Sequence, residues 1–175
     1  FTGTYENQLR AEKTLSLVIP LALAIIFLIL YFQFRSVSTS LMVFTGIAVA
    51  FAGGFIMIWL YGQDWFLNFS LFGENMRTLF NIKTINLSVA VWVGFIALFG
   101  IAVLNGIVML EHFKELKKQG MIDRNELITK GATDRLRAVL LTATAAALGF
   151  LPMAVSTNAG AEVQRPLATV VIGGL

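Results

Sequence analysis

The chain has 175 residues, 57% of them hydrophobic and 13% charged, with a formal net charge of +3 and no cysteine. Soluble domains carry roughly a quarter charged residues, so this composition, with a mean hydropathy of +0.79, excludes an ordinary water-soluble globule. Without Cys, disulfides and thiolate metal sites are excluded as well.

The opening "FTGTYENQLRAEKTL" is polar and lacks the positive, apolar, small-residue order of a signal peptide. Residues 1–14 are therefore read as a connector leading into a membrane domain that begins at Leu15. Four apolar runs follow, Leu15–Phe34, Leu41–Tyr61, Leu87–Leu110 and Ala138–Ser156, and none contains Asp, Glu, Lys or Arg. Runs of about 20 residues at 1.5 Å each match the ~30 Å hydrocarbon core of a bilayer. A fifth run starts at Leu167 and reaches only Leu175, too short to cross. The reading is of a fragment that stops inside a helix. The expected fold is all-α and transmembrane, with alternating antiparallel spans, and Pro20 and Pro152 are expected to bend theirs.

Charge placement sets the orientation. Arg35 and the segment 111–137 put eight basic residues on one side, against Arg10, Lys13, Arg77, Lys83 and Arg165 on the other. By the positive-inside rule the first side is cytoplasmic. The basic balance is thus a topology signal, and nucleic acid is not expected as a partner.

The connecting segments carry local signals. "EHFKELKKQG" reads as an amphipathic continuation of the third span, stopped by Gly120, and Asp123 reads as the cap of a new helix with Glu126 three residues on. Both are expected to lie along the cytoplasmic surface. The 62–86 loop, with Trp65, Phe66, Phe69, Phe72 and Phe80, reads as an interfacial helix with its rings at headgroup level. Small residues mark faces for close helix approach: Gly46, Ala50 and Gly53/Gly54 in the second span, Gly94, Ala97 and Gly100 in the third, and "TATAAALG" in the fourth.

Few polar groups lie within the spans. Asn105 is about 8 Å inside one end of the third span, and Thr142 lies at comparable depth in the fourth, which runs the opposite way. The pair could meet across two helices. Asn105 is then either packing glue between helices or part of a proton or ion route, and Thr142 either closes on its own helix or joins that route. The methionines Met42, Met57, Met109 and Met153 read as gap-fillers in apolar packing and show no ligand spacing. His112 stands alone, and no GxSxG, P-loop or HExxH pattern points to an enzyme.

"GFIALFGIAVLNGIVMLEHF" and "GATDRLRAVLLTATAAALGFLPMAVSTNAGAEVQRPLATVVIGG" resemble the resistance–nodulation–division exporters, most nearly their heavy-metal efflux branch. "YENQLRAEKTLSLVIPLALAIIFLILYFQFRS" resembles the stretch where their second periplasmic porter segment returns to the membrane. The resemblance implies the eighth to eleventh helices, and the start of the twelfth, of one protomer in a homotrimeric pump of the Gram-negative inner membrane. Such pumps exchange substrate for protons and work with a periplasmic adaptor and an outer-membrane channel. Their proton-binding acids sit on a fourth helix outside these residues, and their substrate sites lie in the periplasmic part. No metal site and no cofactor are expected here.

By the same resemblance Thr142 matches a relay threonine, Arg135 the arginine at the cytoplasmic end of the route, and Asn105 the Asn that follows a relay lysine in multidrug members. Leu104 stands where that lysine would be, and Val139 where copper and silver exporters carry lysine. Both departures favour export of zinc, cobalt or nickel over copper and silver. The rival readings are a multidrug pump and a non-transporting assembly module resembling protein-export accessory factors.

Overall fold

A computed structural model describes residues 2–175, the side chains of Thr2 and Thr4 excepted; Phe1 of the expected connector lies outside the described residues. The helices are α1 (Thr2–Phe34), α2 (Val37–Tyr61), α3 (Met76–Leu79), α4 (Val89–Lys118), α5 (Arg124–Ala154) and α6 (Ala161–Gly174). A short hairpin of β1 (Ser70–Leu71) and β2 (Glu74–Asn75) precedes α3. Four helices, α1, α2, α4 and α5, are long and apolar enough to cross a membrane. The all-α transmembrane expectation is met.

The helices outrun the apolar runs. α1 continues back through the polar opening to Thr2, because "YENQLRAEK" is rich in good helix formers and has neither Gly nor Pro to stop it. α4 extends in one piece to Lys118, and α5 starts at Arg124 rather than at the apolar boundary. The segment 111–137 is therefore two helical extensions joined by a short turn. Gly120 adopts φ +94 in that turn, a conformation that suits glycine. The Asp123 carboxylate accepts the Asn125 backbone N–H at 3.1 Å, which caps α5. Each long helix continues through its proline, Pro20 in α1 and Pro152 in α5.

α6 is the centre of the bundle, packed against α2, α4 and α5. Its Ala168, Thr169, Val170 and Val171 are buried. The main core joins Val170 to Ile47 and Ala50 of α2 and to Val91, Phe95, Leu98 and Phe99 of α4. Phe51 and Phe55 lie 4.6 Å and 4.9 Å from the Phe95 ring, centroid to centroid. A second cluster, Leu30, Phe34 and Val43, ties α1 to α2.

Glycine makes the closest approaches possible. A Cβ on Gly94 would sit 3.0 Å from the Leu167 carbonyl oxygen, and one on Gly54 2.7 Å from the Phe95 ring. The anticipated small-residue faces are only half right. Ala50, Gly53, Gly54 and Gly94 are contact positions, whereas Gly46 and Gly100 meet nothing within 4 Å. The inward stripe of α4 runs through Val91, Gly94, Phe95, Leu98 and Phe99, which leaves Ala97 and Gly100 on its exposed side.

The 62–86 loop corrects the expectation of an interfacial helix. Its only helix is the single turn α3; Trp65 and Phe66 lie in turns, and the residues after Phe69 form the β1–β2 hairpin, with Leu71 opposite Glu74 and Phe72 at the tip. Arg77 braces it, donating to the Phe66 carbonyl at 3.3 Å and also to that of Gln63. Asn75 donates to the Asn68 side chain at 2.9 Å. At the tip Phe72 (φ 55) and Gly73 (φ 90) are both left-handed, the sign pattern of a type I′ turn. Gly takes this conformation freely, whereas a side chain such as that of Phe pays ~1–2 kcal/mol.

Candidate functional site: the polar groups between α4 and α5

Two sets of contacts close the ends of the bundle. At the basic end, the His112 imidazole of α4 lies 3.3 Å from the Asp134 carboxylate of α5. Gln33 of α1 donates to Glu111 of α4 at 3.3 Å, and the Lys114 ammonium sits 4.3 Å over the Phe34 ring. Phe113 and Leu116 of α4 pack where Gly131 of α5 has no side chain. At the opposite end Arg165 of α6 donates to the Ala154 carbonyl at 3.3 Å and to the Asn81 carbonyl. It thereby ties the last turn of α5 and the 62–86 loop to α6. A polar hollow of 650 Å³ opens beside it, with Lys83, Asn86, Asn158 and Glu162 in its wall.

The His112–Asp134 contact sets the antiparallel register. Asn105 lies seven residues along α4 from His112, about 10 Å, and Thr142 lies eight along α5 from Asp134, about 12 Å. The two groups are therefore at one level, as their spacing suggests. They do not share facing stripes. Val91, Leu98, Asn105 and His112 recur every seven residues on α4, whereas Ala138 and Thr142 lie on the exposed side of α5, whose half-buried positions at this level are Arg135, Val139 and Ala143.

No hydrogen bond joins the pair, however. The Thr142 hydroxyl donates to the Ala138 carbonyl at 2.9 Å, and that of Thr144 to the Leu140 carbonyl at 2.7 Å, each one turn back on α5. Thr142 is exposed and Asn105 half-buried, about 10 Å further along α4 than the point where Gly174 packs on Leu98. Arg135 is half-buried, and its Nε is shielded without a hydrogen-bond partner among the described residues. Of the flanking departures, Leu104 is exposed and Val139 half-buried.

Chemically the site is a row of neutral donors and acceptors ending at a guanidinium. It has no acid within the spans, so it can orient or accept a proton's hydrogen bond but cannot hold the proton. Sequence reasoning missed both end clasps. His112 looks isolated in the sequence because its partner stands on another helix, and Arg165 sits inside a motif without any sign of which carbonyls it reaches.

Uncharged antiparallel spans around a buried central helix, with charge confined to the ends, define a multi-pass membrane domain. The sequence profile described as "AcrB/AcrD/AcrF family" matches residues 1–71 and 78–175. The chain belongs to that family of resistance–nodulation–division exporters. It is 43% identical over 173 residues to the cobalt-zinc-cadmium resistance protein CzcA of Cupriavidus metallidurans, covering 99% of this chain and 14% of that protein. The nickel and cobalt resistance protein CnrA of the same organism is 38% identical, with the same coverage. The cation efflux system protein CusA of Escherichia coli is 32% identical over 185 residues, covering 100% of this chain and 16% of CusA. An X-ray crystal structure of a heavy metal efflux pump matches with a TM-score of 0.72 and 35% identity, covering 97% of this chain and 15% of that one. The chain thus spans about one seventh of the length of these relatives.

Proposed function

We propose that these residues are transmembrane helices of a proton-driven pump of a Gram-negative inner membrane that exports heavy-metal cations by cation/proton antiport. The full-length protein acts as a homotrimer with a periplasmic adaptor and an outer-membrane channel. The observation that carries this reading is the 43% identity to a cobalt-zinc-cadmium resistance protein across 99% of the chain. Zinc, cobalt and nickel are the favoured cargo, with Leu104 and Val139 standing where other branches of the family carry lysine.

The mechanism follows from what the spans lack. With no acid within them, the titrating carboxylates belong to another helix of the full-length protein. A carboxylate accepts hydrogen bonds and a carboxylic acid also donates one, so protonation changes which of Asn105, Thr142 and Arg135 it engages. α5, which carries Thr142 and Arg135 and is fastened near its two ends to α4 and α6, is the helix that responds. A shift of α5 against α4 is then relayed to the periplasmic part.

The test expresses the full-length protein in a metal-sensitive host and profiles resistance to zinc, cobalt, nickel, copper and cationic dyes. A second arm follows internal pH in proteoliposomes. Resistance to zinc, cobalt or nickel, with proton movement dependent on the metal, is the expected result. Dye resistance alone would move the assignment to a multidrug pump, and a full-length protein that gives neither resistance nor flux would make it an assembly module.

A further inference from the structure

The β1–β2 hairpin is a feature the pump mechanism leaves unused. Its tip is outside the family pattern, since the match stops at residue 71 and resumes at residue 78. Those six unmatched residues include Phe72, whose side chain is 99% exposed. Phe72 also occupies a left-handed position where a type I′ turn prefers Asn, Asp or Gly. A large apolar ring held fully exposed, in a conformation its side chain resists, on an added loop, is placed for contact with something apolar.

We infer that this hairpin is a membrane finger, with the Phe72 ring seated in the leaflet around the outer ends of α2 and α4. The inference rests on α2 and α4 crossing a bilayer and not on what the pump carries, so a failed transport assay leaves it standing. Geometry selects lipid as the occupant. The loop joins two spans directly, so its base starts at the membrane surface. Strands of two residues each, at 3.3 Å per residue, reach only about 7–10 Å. That stays within the ~5–8 Å headgroup layer and the margin of the hydrocarbon.

The chemistry agrees. Trp65, Phe69, Leu71 and Leu79 of the same loop are exposed, and such rings are favoured at the headgroup boundary. Of the polar groups that could oppose insertion, Arg77 is turned to the Gln63 and Phe66 carbonyls and Asn75 to Asn68, while the exposed Glu74 carboxylate beside the tip holds the finger to headgroup depth. The finger is thus apolar at its tip, charged only at Glu74 beside it, and braced at its base by Arg77 and Asn75.

A nitroxide placed at Phe72→Cys in the full-length protein, with other cysteines removed, tests this in nanodiscs of phosphatidylethanolamine and phosphatidylglycerol. Power-saturation spectroscopy compares collisions with oxygen, which concentrates in lipid, and with a nickel chelate, which stays in water. Ile122→Cys, at a 95% exposed position in the α4–α5 turn, is the aqueous reference. Leu79→Cys reports on the same loop if the tip variant fails to fold. The expected result is that oxygen relaxes the label at 72 more than the chelate does, the reverse of position 122. A label at 72 that behaves like the one at 122, or that is shielded from both reagents by covering protein, overturns the inference.

Discussion

Thr142 and Asn105 share a level in the bundle but differ in what their polar atoms are free to do. The Thr142 hydroxyl has committed its proton to the Ala138 carbonyl, yet its oxygen can still accept. Replacing Thr142 with Val keeps the shape and removes the acceptor. Losing one such hydrogen bond costs about 1 kcal/mol, or about 5-fold in an equilibrium. Metal resistance of the full-length protein should fall by that order with expression unchanged, and Thr142→Ser should restore it. Undiminished resistance in the Val variant would remove Thr142 from the route. For Asn105, an amide acting only as glue between helices contributes ~0.6 kcal/mol, and its loss would lower thermal stability. We predict the opposite pattern for Asn105→Leu, a loss of metal-dependent proton flux at an unchanged melting temperature, read by fluorescence thermal shift beside the flux assay. The common level of the pair is legible in the sequence, because spacing and antiparallel order suffice, but the exposed side on which Thr142 lies is not. That Thr142 bonds its own helix is not legible, because a one-turn return and a cross-helix bond need the same residue.

Helices here are positioned less by large side chains than by the places where side chains are missing. Gly94 lets α6 settle with the Leu167 backbone against α4, and backbone cannot move aside as a rotamer can. Gly94→Leu should therefore destabilise the domain by about 1–3 kcal/mol or more, seen as a lower melting temperature in detergent. An unchanged melting temperature would mean that α6 is not seated as described. At this scale much of the fold is readable. The apolar runs mark the spans, and Gly120 and Asp123 mark where α4 stops and α5 starts. The loop hairpin escapes because two-residue strands are too short to show alternation. Nor does any sequence signal announce a left-handed phenylalanine, a residue type that turn chemistry would place elsewhere. The glycine faces were half read because period alone does not say which side of a helix has a neighbour.

Across the whole molecule the two ends are fastened by different chemistry. The basic end uses separate contacts for each helix pair, Gln33 with Glu111 and Lys114 with Phe34 for α1 and α4, and His112 with Asp134 for α4 and α5. The other end concentrates its fastening on one residue, Arg165, which holds two carbonyls from separate segments. Hydrogen bonds to a charged donor are worth ~1.5–3 kcal/mol each. Arg165→Gln should thus loosen α5 and the loop together, and amide exchange should rise around Asn81 and Ala154 in step. If only one of the two segments becomes more labile, Arg165 is not a joint fastening. The central position of α6 has a consequence for how such a chain is made. Synthesis runs from the N-terminal side, so the piece around which α2, α4 and α5 close leaves the ribosome after all of them. Until it arrives the earlier spans have inserted without their common partner, and lipid, a helper protein or another part of the full-length protein occupies the gap between them.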